Sequence, residues 1–268
     1  MAHSYRTLHQ WDLWLRQTFL GDSLLKVEKK LLTQLLTHHF GKHALLIGVP
    51  HQYLLLNSAV ISMHSLVSPL ALHENNINYI ESSFRELPIL TGSVDLVLLP
   101  HTLEYTDNPR QLLAEACRII KPEGLIGICG FNPYSTWGLR KFMLKNQHIP
   151  WASNFIHARH IKSWLQLADF KMEKQLYTLY RPPILNQHFY EKLYFIEKMG
   201  KKLCSMLGGV YIILARAKVL PLTPIKMKWK QQLSGLRIPT IISSHNICQS
   251  AFSGGHEISE RSKRSEIL

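Results

Sequence analysis

The sequence has no run of ~18 uninterrupted apolar residues, so no membrane-spanning helix is expected. Its first ten residues, Met1 to Gln10, lack the charged-then-apolar order of a signal peptide. Cysteine is scarce: Cys117, Cys129, Cys204 and Cys248 stand apart with no Cys-x-x-Cys spacing. Two of them lie inside apolar patterns, which predicts reduced, buried thiols and a cytoplasmic protein. The histidine pairs His38–His39 and His157–His160 have no cysteine or carboxylate cluster beside them, so no metal site is expected. Acidic residues are few as well, 18 against 31 Lys and Arg, which leaves a net charge of +13.

That excess is uneven. Residues 1–123 carry 10 Lys and Arg against 11 Asp and Glu, residues 124–217 carry 13 against 4, and residues 218–268 carry 8 against 3. A basic second half suits an anionic partner or acceptor, such as nucleic acid, phosphate groups or a membrane surface, and equally suits a solvated face. Nothing interleaves aromatics with arginine as a dedicated single-strand binder would. With 46% hydrophobic residues in 268, the chain can bury one large core.

The apolar spacing predicts a helix from Asp22 to Phe40, capped by Asp22 or Ser23 and ended at Gly41. Strands are expected at Ala44–Ile47 before Gly48, at Ala59–Leu66 and, more weakly, at Asn78–Ile80. Val94–Leu99 reads as a strand and Asn108–Ile120 as a helix. Lys121-Pro122-Glu123-Gly124 stops that helix, and Leu125–Cys129 is the following strand. Strand, helix, strand over some 35 residues is a βαβ crossover and implies a parallel sheet. Helices follow at Ser135–Leu144 and Ala158–Leu167, then a strand at Leu176–Tyr180, a basic helix at His188–Met206 and a strand at Val210–Ala215. Beyond Lys218 the periodicity ends, and a docked or disordered extension is expected.

The block Glu86-Leu87-Pro88, Ser93-Val94-Asp95-Leu96-Val97, Leu112, Glu115, Arg118-Ile119-Ile120-Lys121-Pro122-Glu123-Gly124 resembles the middle of class I methyltransferases of the type 11 superfamily. Trp14, Thr18 and Gly21, the run Gly130-Phe131-Asn132-Pro133, Trp137 to Arg140, Tyr180 to Pro183 and Pro221 to Ile225 resemble an uncharacterised bacterial subgroup of it. The resemblance implies an α/β fold, a doubly wound, mostly parallel seven-stranded sheet of order 3-2-1-4-5-7-6 in three layers. It implies a domain over residues 1–217, with a helical lead-in at 11–40 and a basic extension at 218–268. It also implies S-adenosylmethionine, bound at the carboxyl ends of strands 1, 2 and 4, and leaves the methyl acceptor open.

Methyl transfer needs donor and nucleophile held at near-attack distance and, for some acceptors, a base. Holding the donor ordinarily takes a glycine-rich loop after strand 1, an acidic residue ending strand 2 and a small or polar residue after strand 3. Here Gly48 is followed by Val49-Pro50-His51, strand 2 ends in Met63-His64-Ser65, and Ser82-Ser83-Phe84 follows strand 3. The expected cofactor residues are therefore Gly48, Val49, Ser83, Phe84 and Pro100. His101, after strand 4, is the expected catalytic residue, a base facing the methyl group, or else a cap on the strand. Glu104, Tyr105 and Asn132 border the same place. Two functions fit: a methyltransferase acting on a small or anionic acceptor, or a non-catalytic protein on the same scaffold that binds RNA or protein through its basic half.

Overall fold

The computed structural model describes residues 2–71, 77–143, 149–184, 186–203 and 205–218. Seven strands form one sheet: β1 Phe40–Ile47, β2 Val60–Ser68, β3 Asn78–Glu81, β4 Val94–Pro100, β5 Ile120–Phe131, β6 Phe170–Thr178 and β7 Val210–Ala217. Their order is β3-β2-β1-β4-β5-β7-β6, with β7 antiparallel to both neighbours, as the resemblance implied. A parallel sheet covered on both faces needs apolar residues on both. The whole of Leu96–Pro100 in β4 is buried accordingly, as is Ala44–Ile47 in β1.

The helices are α1 Ala2–Gln17, α2 Phe19–Leu36, α3 Pro109–Ile119, α4 Thr136–Met143, α5 Ala158–Leu167, α6 Gln187–Lys192 and α7 Tyr194–Leu203. α1 begins well before the expected lead-in. Among its described side chains the buried apolar stripe is Leu8, Trp11 and Leu15, with Asp12 buried beside them, and the polar residues between them mask the period. α2 starts earlier than expected too. Its cap is Thr18, whose Oγ1 accepts from the Gly21 N–H at 3.0 Å, rather than Asp22 or Ser23. A Cβ on Gly21 would fall 2.7 Å from Leu15 Cα, so the bare glycine lets α1 and α2 cross closely. The single basic helix expected over 188–206 is α6 and α7, with a 3-10 turn at Ser205–Leu207. β5 begins at Ile120 instead of after the Pro122–Gly124 reversal, and Glu123 takes φ +63° at the irregularity. The tail expected at 218–268 lies outside the described residues from position 219 on.

The block that carries the resemblance proves to be wiring. The Asp95 carboxylate, at the head of β4, accepts from the Lys42 and His43 N–H groups, both at 3.0 Å, and from Lys121 Nζ at 2.9 Å. It thereby ties β1, β4 and β5 together at the amino edge of the sheet. Burial works against its charge, but these hydrogen bonds outweigh that and hold its pKa below the ordinary value. Glu115 and Arg118, one turn apart on α3, pair at 2.9 Å. Between them they bind the Leu87 N–H and the Leu87 and Ile89 carbonyls, which fixes the loop that feeds β4.

Candidate functional site

A cavity of about 710 Å³ opens at the carboxyl edge of the sheet. Pro69 follows β2 there, Ser83, Phe84 and Arg85 follow β3, and Thr106, Asp107 and Asn108 follow β4. α1 forms the facing wall with Tyr5, Arg6 and Leu8. Of the residues expected to bind cofactor, Ser83 and Phe84 line this space, with Phe84 nearly buried and Ser83 exposed. The guanidinium-bearing Arg6 and Arg85 and the carboxylate of Asp107 are exposed around it. The sequence offered no signal for Tyr5 or Arg6, because only folding brings α1 over the strand ends.

Gly48, Val49 and Pro100 are buried and do not line this cavity. The Gly48 N–H donates to the Val67 carbonyl at 3.0 Å, and the Val49 N–H to Gln52 Oε1 at 3.2 Å. The same Gln52 donates through Nε2 to the Pro100 carbonyl at 2.9 Å, so one side chain bridges the loops after β1 and β4. A Cβ on Gly48 would fall 2.7 Å from Gln52 Oε1; the bare face of the glycine admits glutamine. Pro50 has no N–H and opens a 3-10 helix over Pro50–Ser58, where a missing donor costs nothing. The next donor, the His51 N–H, is taken at 2.9 Å by Asp12 Oδ1 of α1, and Asp12 is itself paired with Arg16. A carboxylate at a helix N-terminus is the favoured arrangement of charge and dipole. The donors of this loop are thus engaged by the protein.

His101 stands at the turn after β4 with φ +57°, a left-handed conformation that a non-glycine residue holds only when its surroundings demand it. They do. Its N–H donates to the Cys129 carbonyl, and the ring lies between two buried carboxylates, 2.7 Å from Glu28 Oε1 of α2 and 3.1 Å from Glu104 Oε2. Glu104 Oε1 accepts in turn from the Phe131 N–H. Burial alone would lower the His101 pKa, but Glu28 and Glu104 more than reverse this and hold it at about 9. The ring is fully buried, packed on Phe131 at 4.2 Å and Trp11 at 5.5 Å, and the residue is not part of the cavity wall. It ties α2, β4 and β5 together. Glu104 and Tyr105, expected at the rim, are buried with it, and Tyr105 stacks on Trp11 at 4.9 Å. Asn132 holds a turn: its Nδ2 donates to the Met206 and Gly208 carbonyls and its Oδ1 accepts from the Tyr134 N–H. Among the described residues no group of three His, Cys, Asp or Glu is placed to hold a metal.

Residues 58–128 match the family described as "Methyltransferase domain". The chain is 28% identical over 221 residues to the uncharacterized protein YafS of Escherichia coli K12, covering 81% of this chain and 85% of that one. Its fold is similar to that of an S-adenosylmethionine-dependent methyltransferase of Thermotoga maritima, a possible histamine N-methyltransferase. That match has a TM-score of 0.57 at 19% identity and covers 81% of this chain and 100% of that one. It is also similar to a chain in the complex of the Haloferax volcanii Trm112 methyltransferase activator with a putative methyltransferase. There the TM-score is 0.55 at 14% identity, covering 78% of this chain and 98% of that one. The chain thus has the fold of the class I methyltransferases, and its residues 58–128 match a methyltransferase domain.

Proposed function

We propose that the protein is an S-adenosylmethionine-dependent methyltransferase that holds the adenosyl end of its cofactor between α1 and the carboxyl ends of β2, β3 and β4. The cavity there carries the reading. Its volume of about 710 Å³ falls in the range of small-molecule sites, and strand carboxyl ends are where α/β sheets bind ligands. The residues fit an adenosyl group: Phe84 offers a flat apolar face, Ser83 a free-standing hydroxyl, and Asp107 a carboxylate for ribose hydroxyls, a role that Ser68 and Pro69 at the end of β2 do not fill. When bound, the cofactor supplies a methyl group made electrophilic by its sulfonium.

The methionine end meets a different surface, since Gln52 and Asp12 occupy the donors of the loop after β1. Admitting an amino-acid group requires Asp12 to leave the His51 N–H. Asp12 lies on α1, the helix that also supplies Tyr5, Arg6 and Leu8 to the cavity, so α1 acts as the cover of the whole site. His101, enclosed by Glu28 and Glu104, is a positioning residue that holds the turn after β4 rather than the base that removes an acceptor proton. Arg6 and Arg85 at the cavity favour an acceptor of negative charge.

Calorimetric titration with S-adenosylmethionine, S-adenosylhomocysteine and 5′-methylthioadenosine tests the reading. All three bind on this account, Phe84→Ala weakens all three, and Asp12→Ala strengthens the two that carry the amino-acid end. Absence of binding by any of them at millimolar concentration overturns it. One observation favours a second reading, a binding protein on the same scaffold: the loop donors are already satisfied within the chain. Under it methylthioadenosine binds and S-adenosylmethionine does not, in Asp12→Ala as in the parent.

A further inference from the structure

α4 is built inside out. A surface helix ordinarily turns its apolar side chains inward and its cations to water. In α4 Trp137 is buried, but both basic residues also face the protein. Arg140 donates to the Pro183 carbonyl and lies 4.7 Å over the Trp151 ring, while Lys141 donates to the Ser153 carbonyl and lies 4.7 Å over Phe155. The outward side chains are Leu139, Phe142 and Met143, and Phe142 is 85% exposed. The helix cannot rotate to hide them. A Cβ on Gly138 would run into the Pro133 carbonyl, and Trp137 Nε1 donates to the Arg181 carbonyl at 3.1 Å.

The exposed apolar surface continues beyond the helix. A furrow of about 460 Å³ runs along Leu139 and Phe142 to Tyr134 and Leu207. A second, of about 630 Å³, shares Tyr134 and Leu207 and ends at His157, Arg159 and Lys162. Tyr134 and Met206 are largely exposed. Among the described residues no carboxylate lines either furrow. Apolar side chains at one end and cations at the other, within a segment that carries 13 Lys and Arg against 4 Asp and Glu, match the layering of an anionic bilayer surface. A nucleic-acid face would aim its cations outward and would gain nothing from exposed Leu, Phe and Met.

We propose that this face docks on an anionic lipid surface, with Leu139, Phe142 and Met143 entering the acyl boundary and Arg159 and Lys162 meeting headgroup phosphates. The assignment is independent of the cofactor reading. Among the described residues no helix is long and apolar enough to cross a membrane, so the contact is peripheral.

Co-sedimentation of the full chain with vesicles is the test, using an equal mixture of phosphatidylcholine and phosphatidylglycerol against phosphatidylcholine alone. The protein pellets with the mixture and stays in solution with phosphatidylcholine. Phe142→Ser combined with Met143→Ser weakens binding at least tenfold while the melting temperature is unchanged, because both side chains are exposed. Arg159→Glu with Lys162→Glu lowers binding and removes its sensitivity to salt. Failure to pellet with the mixed vesicles, or equal pelleting by the Phe142 and Met143 variant, overturns the proposal. So does a dimer in sedimentation velocity that this variant dissociates, which would make the face a contact with a second copy.

Discussion

The amino and carboxyl edges of the sheet hold polar residues of opposite kinds. At the amino edge Asp95, Glu115 and Arg118 tie neighbouring strands and one loop together in surroundings partly open to water. At the carboxyl edge Glu28, His101 and Glu104 are wholly buried and join elements up to 73 positions apart in sequence. The first network lies in the block whose sequence resembles class I methyltransferases. The second, with Asp12 and Gln52 beside it, occupies ground that a glycine-rich loop would leave to a ligand. Likeness to the family is therefore strongest where the fold is held and weakest where the cofactor's amino-acid end would enter.

The carboxyl edge should break hardest. His101→Ala leaves Glu28 and Glu104 buried without their shared cation, which costs about 3–5 kcal/mol in urea unfolding. Trp11→Ala removes the ring that packs on His101, Trp14 and Tyr105 and costs a similar amount, about 3–5 kcal/mol, by the same measurement. A loss within experimental error in either variant would show that α1 does not seal this edge. Asp95→Ala, at the amino edge, strands two backbone donors and Lys121 in partly wet surroundings and costs about 1–3 kcal/mol.

pH separates the two edges without mutation. The His101 pKa is raised from 6.5 to about 9, so its stabilisation is complete below about pH 6.5 and is lost as pH rises through 9. The Asp95 pKa is lowered, so its stabilisation is complete above about pH 3.8 and is lost as pH falls further. Melting temperature should fall on both limbs. His101→Asn should flatten the alkaline limb alone, and Asp95→Asn the acid limb alone. The smallest effect belongs to neither edge: Phe142→Ser should change unfolding free energy by no more than about 0.5 kcal/mol, because among the described residues that ring is 85% exposed.

The βαβ unit from Ser93 to Phe131 was legible because its signals are local: a buried strand, an amphipathic helix that stops before Pro122, and a second apolar strand, although that strand starts at Ile120 and runs through Pro122 to Gly124. Ser83 and Phe84 were singled out by their position shortly after the third strand, and both line the cavity. His101 was marked by its place after β4, but a histidine at a strand end reads alike whether it faces solvent or two carboxylates. Glu28, which decides the matter, lies 73 residues earlier on a helix whose other residues explain its presence as a solvated charge. α1 was missed for a related reason, since its apolar residues Leu8, Trp11, Leu13, Trp14 and Leu15 do not say which of them form the buried stripe until the sheet edge beneath them is known.

By itself the amino-acid sequence determined most of the elements and the βαβ crossover, because periodicity, caps and breakers act over a few residues and parallel strands must be joined by crossovers, while the strand order came from the resemblance to class I methyltransferases. Only the tertiary structure decided what stands at the carboxyl edge. There the outcome depends on which distant groups meet. Asp12 reaches the His51 N–H, Gln52 fills the bare side of Gly48, and two glutamates enclose His101, since a buried charge or backbone donor must find a partner wherever the chain brings one within reach.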